Sequence, residues 1–523
     1  MIEQMDKRSP LFLPVPILLL LAWLSYWLFT TRHALLDDAL IHLHYADMLH
    51  RHHFITYDGI HHGFGTSSLL YVALLAFLRG FFTSPLVPKA VSDLSYLVLI
   101  GLVVSLIFRL NKSVLAQLLL AELTVCLVSP MGIRWLTDGM ETSLTCVFVV
   151  LLAIVVAKVK EQGMGRGGAI LLVLFGAALI FLRIELALIV ALSCLSILVV
   201  KVSQRQSPLR AAIEASPLAI GTVLAMLVIR IMMGDFLPDT ALAKSSHHIS
   251  VQPLTASLQV LGSSLLLGIG SALCWAQSVF LVMRRIIRSG QDVRIRLLTL
   301  TLENCAIFIV IGLSCLRGQA IQGVRYVLWP FLFGIVANAL RIASDRAEEA
   351  ATPRMDPTEK GLLAAFLTLC LILLPIDWRL ASHAMRGRSL TFDEMRSAHL
   401  GRLFDDKTIV ASDVGFITYF SNGRTCDLAG LVNGKAMASL TSDQRIAYCA
   451  QQSPAMLFLT SGQVHRMESA MNLTDWTVCG VFDFTNVHSN DRHYLIVPPK
   501  DGEEVCRTLD FPSKTVADLV PAS

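Results

Sequence analysis

The chain has 523 residues, 54% of them hydrophobic and only 16% charged, whereas ordinary soluble proteins carry about a quarter charged residues. That balance excludes a soluble globular protein. The formal net charge of +4 sits in short Arg/Lys clusters between apolar tracts, a distribution that anchors helices on the cytoplasmic side and gives no basis for a nucleic-acid partner.

Tracts 14–29, 143–157, 170–181 and 361–374 lack charges altogether and 113–129 carries Glu122 alone, and a run near 20 residues is what about 30 Å of hydrocarbon requires. The first tract contains Trp23, Tyr26 and Trp27, and no small-x-small pattern closes it; a retained first span is expected, not a secretory signal. Inside points are predicted at Lys7/Arg8, Arg109/Lys112, 158–166, 201–210, 284–296 and 341–360. Spans at 11–30, 91–109, 113–129, 142–157, 169–182, 186–200, 214–232, 256–283, 297–316, 325–341 and 361–376 then alternate correctly. Residues 69–82 are apolar enough to cross, but a crossing there would invert every later cluster. A re-entrant or interface-lying hairpin, broken near Pro85 and Pro88, is expected instead.

This threading brings to one outer face the 31–68 loop, the 129–141 turn, Arg183/Glu185, the 233–255 loop and the 317–325 turn. The fold class expected is a polytopic α-helical membrane protein of about 11 spans plus the hairpin, residues 1–376, followed by an extracytoplasmic α/β domain over 377–523. In that second part the apolar runs shorten to strand length, as at 408–412, 455–459, 476–482 and 493–497. Four of the eleven cysteines, Cys426, Cys449, Cys479 and Cys506, lie there. An oxidising compartment permits disulfides, and four cysteines allow three pairings. Asn472-Leu-Thr474 matches a glycosylation sequon, a weak signal on its own.

The strongest local motif is Leu35-Leu-Asp-Asp-Ala-Leu-Ile-His-Leu-His-Tyr-Ala-Asp47, just after the first span. Adjacent carboxylates Asp37 and Asp38 can accept a proton, bind a cation or cap a helix; the cap is the plainest reading, because Asp38 precedes a good helix start. Shielded by lipid and protein, one of them suits a general base for a sugar hydroxyl. Eight of the fifteen histidines fall between His33 and His62, but none form an i,i+4 pair in a ligand motif, so neither a metal nor another cofactor is expected. His42 and Tyr45 are candidates for substrate contact. Further along, Glu141 follows Asp138 at the outer end of a span, and Arg183 and Glu185 sit between apolar halves, where ions point to function or pair with each other. Asp235, Asp239 and Lys244 occupy the 233–244 segment, and Arg317, Arg325 and Tyr326 open a late span. Cations beside acids at headgroup depth are what a phosphate ester on a lipid carrier requires: arginine supplies a fork, lysine a movable point charge.

In this order the motifs resemble the membrane-embedded glycosyltransferases of the C-type fold, in particular a bacterial family that includes the mycobacterial terminal arabinofuranosyltransferase and related multi-pass proteins. The resemblance rests on Asp37-Asp38-Ala39-Leu40-Ile41, Gly63-Phe-Gly-Thr-Ser67, Asp138-Gly-Met-Glu-Thr142, Leu182-Arg-Ile-Glu-Leu186, Met233-Gly-Asp-Phe-Leu-Pro-Asp-Thr240 with Ala243-Lys244, Arg325-Tyr326 and Asp427 to Leu431. It implies an inverting transfer of a sugar from a polyprenyl-phosphate donor to a cell-envelope glycan or lipid-linked acceptor at the outer face of the bacterial inner (plasma) membrane. The base would be Asp37 or Asp38, with the donor phosphate held by Lys244, Arg325 and Arg183. Proline and glycine are missing around Arg183/Glu185, and Leu40 and Ser67 replace the family's aromatic and Asn, so the sugar does not carry over. The alternative from another class is a transporter or flippase of lipid-linked glycans, though no inverted repeat is visible; a third is a non-enzymatic envelope scaffold.

Overall fold

The computed structural model describes residues 14–57, 63–110, 113–163, 165–243, 252–289, 292–316, 323–348, 357–397, 399–485, 490–509 and 514–516. They form a polytopic helical membrane protein with a distinct C-terminal α/β domain. Seven helices are long and apolar enough to cross a bilayer, and up to nine if the bent pairs Val114–Val128 with Pro130–Leu136 and Val293–Asn304 with Ala306–Leu313 each count as one. Helices Ile17–Thr30 and Gly167–Leu182 are apolar but shorter.

Local chemistry sets the breaks. Ser129 Oγ accepts from Gly132 N at 3.0 Å and Pro130 follows at the first helical position, so a new helix starts where its neighbour stops, bent by 72°. The buried carboxylate of Asp377 accepts from Met131 N at 2.9 Å and Leu266 N at 3.3 Å, satisfying donors at the starts of helix Pro130–Leu136 and of span Leu266–Ser289. Helix Gly167–Leu182 packs on Pro208–Met233 through glycines: a Cβ on Gly221 would lie 1.9 Å from the Val173 carbonyl oxygen, and one on Gly176 would lie 2.4 Å from that of Leu218.

Residues 69–82 contain helix Leu69–Arg79, 11 residues and about 16 Å long, half of what a crossing needs. Tyr71 Oη donates to the carbonyls of Pro88 at 3.2 Å and Gly139 at 2.7 Å, and Arg79 clasps Asp47 with two nitrogens. Its first turn is thus tied to the start of span Val87–Arg109 and to the turn at Gly139, and its last residue to helix Asp37–His52. The expected boundary at 376/377 falls inside one helix, Pro357–Ser397, whose 41 residues run about 60 Å. Trp378 there packs with Trp23, Tyr26 and Trp27 of the first helix, an aromatic cluster of the kind found at a membrane–water interface.

The C-terminal sheet has strands β1 (Thr408–Ala411), β2 (Arg424–Asp427), β3 (Met456–Thr460), β4 (Thr477–Thr485), β5 (Asn490–Val497) and β6 (Lys514–Thr515), in the order β2-β1-β3-β5-β4-β6. β2, β1 and β3 are parallel and the rest antiparallel. Every residue from Met456 to Leu459 is buried, which explains why β3 reads as a continuous apolar run. Two disulfides, Cys426–Cys449 and Cys479–Cys506, resolve the three possible pairings into one.

Two outcomes are expected. A reporter fused after Arg109 reads as cytoplasmic; an external signal would mean that helix Leu69–Arg79 crosses after all. Removing Cys426–Cys449, which closes a separation of 23 residues, by the double Cys→Ser change lowers the stability of the C-terminal domain by about 3 kcal/mol, measured by denaturant unfolding followed at Trp476, the single tryptophan of residues 399–523.

Candidate functional site

Helix Asp37–His52 lies between the two halves of the molecule. It begins with Leu36 at the N-cap and no side-chain cap, so neither aspartate performs the capping role. Adjacent helical positions are about 100° apart, and the two carboxylates diverge accordingly. Asp37 reaches the outer domain, where its oxygens accept from Gly415 N at 2.9 Å and Phe416 N at 2.7 Å, the first turn of helix Val414–Ser421. Burial pushes its pKa well up, the charge of Asp413 adds to this, and the two N–H donors oppose it. Gly415 makes this approach possible: a Cβ there would lie 2.0 Å from the Asp37 carbonyl oxygen. Asp38 turns the other way and accepts from Arg325 Nη2 at 2.8 Å.

Asp38 opens onto a cleft lined by Ile41, His42, Met140, Glu141, Arg183, Arg325 and Tyr326, together with Gly65, Ser67, Thr240 and Leu431 of the C-terminal domain. Glu141 is fully buried; it accepts from Arg183 Nη1 at 2.8 Å and lies 3.4 Å from His42 Nε2. The other ring nitrogen of His42 shares a 2.8 Å hydrogen bond with Thr66 Oγ1, which fixes the ring. Glu185 lies 3.1 Å from Arg183 Nη2 and is partly exposed. The Tyr326 ring takes both cations, Arg183 at 4.9 Å and Arg325 at 5.2 Å. Among the described residues, Arg183 Nε and Arg325 Nη1 are buried without a hydrogen-bond partner. Donors held in a low-dielectric pocket in this way suit an incoming anion.

The remaining predicted residues frame the cleft. Tyr45 Oη accepts from Gly65 N at 3.0 Å, and a Cβ on Gly65 would lie 2.4 Å from the Leu431 carbonyl oxygen; glycine there lets the loop pass between tyrosine and roof. Asp239 and Phe64 exchange two hydrogen bonds, Phe64 N to Asp239 Oδ2 at 3.0 Å and Asp239 N to the Phe64 carbonyl at 2.7 Å. Asp235 pairs with Lys435 of the outer domain. Lys244 and Arg317 lie outside the described residues. The roof turn is shaped by Asp427, whose carboxylate accepts from the backbone N–H groups of Ala429, Leu431 and Val432. Among the described residues no group of three or more His, Cys, Asp or Glu side chains could hold a metal ion.

Thr66 and Leu431 lie in two of the motifs that carry the resemblance, Gly63 to Ser67 and Asp427 to Leu431, but the sequence assigns neither residue a role of its own. Arg134 and Arg388 are absent from the candidates read in the sequence, although an arginine in the apolar run Met131-Gly-Ile-Arg-Trp135 is a signal for Arg134.

The floor of this region also titrates. His44 is buried, its Nε2–H donates to the Tyr57 carbonyl at 2.8 Å, and burial lowers its pKa to about 4. An unfolded chain binds that proton near pH 6.5, so between pH 6.5 and 4 the unfolded state holds more protons. Stability contributed by neutral His44 is complete above that window and falls as pH drops through it, by on the order of 3 kcal/mol. The expected result is a melting midpoint that falls on acidification, with a weaker fall in His44→Gln; identical profiles would show that other groups cause it.

Residues 384–497 match a family described as a domain of unknown function (DUF8728). The match takes in the C-terminal part of helix Pro357–Ser397, helix Val414–Ser421, which is the roof helix over the cleft, and strands β1 to β5, but not the membrane half of the cleft. No curated protein matches the chain.

Proposed function

We propose that the protein is an inverting glycosyltransferase of the C-type fold, moving a sugar from a polyprenyl-phosphate donor to a cell-envelope glycan or lipid-linked acceptor on the outer face of the bacterial inner membrane. The observation that carries this reading is that one cleft gathers the Asp38 carboxylate, hydrogen-bonded to Arg325, and the two arginines that bracket Tyr326. In this reading the long helices, the two bent pairs and helices Ile17–Thr30 and Gly167–Leu182 make up eleven crossings, with Leu69–Arg79 at the interface. The two disulfides support an oxidising, extracytoplasmic location for the outer domain.

Asp38 is the base. It takes the proton of the acceptor hydroxyl as that oxygen attacks the anomeric carbon from the face opposite the phosphate. The new carbon–oxygen bond forms as the bond from the anomeric carbon to the phosphate oxygen breaks, and polyprenyl phosphate leaves with the electron pair. Arg325 and Arg183 stabilise the charge gathering on that phosphate, an effect that grows as water is excluded. Glu141 and His42 hold Arg183 in place, and Leu431 of the outer domain covers the acceptor side. Asp37 is a positioning residue, because its carboxylate is committed to the roof helix. The donor is already activated, so no nucleotide site is needed.

The test supplies purified full-length protein with synthetic polyprenyl-phosphate sugars and envelope glycan, and detects new glycoside by mass spectrometry. Asp38→Asn is expected to lower kcat by about 10²–10⁴-fold, whereas Asp37→Asn, which keeps an acceptor oxygen for the roof helix, stays within about tenfold of the parent. Full turnover in Asp38→Asn would remove it as the base, and activity abolished by a chelator would bring in a metal.

A further inference from the structure

Beside the cleft, on the side of Arg325, lies a second group of cations. Arg134, in helix Pro130–Leu136, is 4% exposed, and Arg388, in helix Pro357–Ser397, is 9% exposed. The two guanidinium carbons lie 4.6 Å and 5.9 Å from the ring of Trp135. Among the described residues neither arginine is within ion-pair distance of a carboxylate. The one polar contact of Arg134 is a long one, Nη1 to Met131 Sδ at 4.0 Å, while its Nε and the indole Nε1 of Trp135 are buried without a partner.

The charges acting on Arg388 are those of Asp138, Arg325 and Asp38, and those acting on Arg134 are Arg388 and Asp138. Asp138 is the single acid these two share. Its Oδ1 accepts from Met140 N at 3.1 Å and its Oδ2 has no partner. Two forks, one indole N–H and one carboxylate leave an excess positive charge and two unused donors, Arg134 Nε and Trp135 Nε1, in a buried place. Buried cations are normally paired, since an isolated one costs several kcal/mol. An arrangement offering donors and no matching acceptor is complementary to a tetrahedral oxyanion.

We infer that Arg134, Arg388 and Trp135 form a second anion subsite, next to the first, that binds a lipid-borne phosphate group. The phosphate has two possible sources: the second phosphate of a polyprenyl diphosphate whose first sits on Arg325 and Arg183, or the headgroup of a separate anionic lipid. The inference concerns binding alone. It stands if the cleft proves to catalyse nothing, and its test does not read turnover.

Full-length protein in neutral-lipid nanodiscs is titrated with polyprenyl monophosphate, polyprenyl diphosphate and phosphatidic acid, with bound lipid counted by native mass spectrometry. If the second phosphate belongs to the carrier, the diphosphate binds about tenfold or more tightly than the monophosphate, and the double change Arg134→Gln with Arg388→Gln removes that difference while leaving monophosphate binding within about twofold. If it belongs to a headgroup, phosphatidic acid binds alongside the monophosphate and the same double change expels it alone. Equal binding of all three lipids to parent and variant would overturn the subsite. Should the variant not fold, a cryo-electron microscopy map of the unaltered protein with diphosphate or phosphatidic acid decides: phosphate density bonded to both Arg134 and Arg388 supports the inference, and density confined to Arg325 and Arg183 overturns it.

Discussion

The contact on which the rest of the arrangement depends is the Asp37 carboxylate set on the first turn of the roof helix. A helix N-terminus presents free N–H groups and a partial positive charge, and Asp37 satisfies two of those donors from another part of the chain. The close approach leaves no space for a side chain at Gly415, and Tyr57 Oη donates to the Val414 carbonyl at 3.2 Å one residue earlier. Weaker ties repeat the same connection at the periphery: Lys435 to Asp235 across the cleft rim, and His33 to Asp393 where the long helix leaves the first span. Exposed pairs of that kind contribute little individually. The buried contact fixes the position, and the exposed ones keep the edges closed.

Fixing the roof also fixes the electrostatics beneath it. Asp37 and Asp38 are neighbours in sequence yet point to different sides of one helix, so the position of the roof and that of the Asp38 carboxylate in the cleft are set by a single helical rotation. Arg325 holds Asp38 from the membrane half, and Arg183 is held by Glu141, itself braced by His42 and Thr66. Acids and bases therefore alternate around the cleft, each cation retaining a donor aimed elsewhere. An anion entering this ring can be met by donors already in place, without prior rearrangement of the protein.

The spans and the motifs were readable in the sequence because each is written in a local pattern. Charge blocks end the helices, strand-length runs announce the sheet, and the acid pair stands out after the first span. What was not readable depends on relations between distant residues. The direction taken by Asp37 requires knowing that residue 415 is nearby. Tyr45, Asp235 and Asp239 carry polar groups that could face a substrate, but their partners are backbone groups and a lysine from other segments. Disulfide pairing belongs to the same class, since spacing leaves the three connectivities equivalent. The boundary expected at 377 follows the shortening of the apolar runs beyond it; a helix leaving the bilayer changes its solvent without changing its backbone, so a shift in composition marks the membrane surface and not the end of the element.

The outer sheet gives the last step. In parallel sheets, anions bind beyond the carboxyl ends of the strands where the chain order reverses, at a helix N-terminus. Here the order reverses between β1 and β3, and the helix following β1 is Val414–Ser421. Its N-terminus is taken by Asp37, while Ser412 and Gln463 close the crevice with a 3.0 Å hydrogen bond and Asp413 pairs with His493. The place where such a sheet would hold a ligand is thus filled by the protein's own carboxylate. A domain that uses its anion site for docking reaches the cleft through its loops, and the loop that does so is the turn from Asp427 to Leu431, shaped by one aspartate and carried to the cleft by Asp37's hold on the roof.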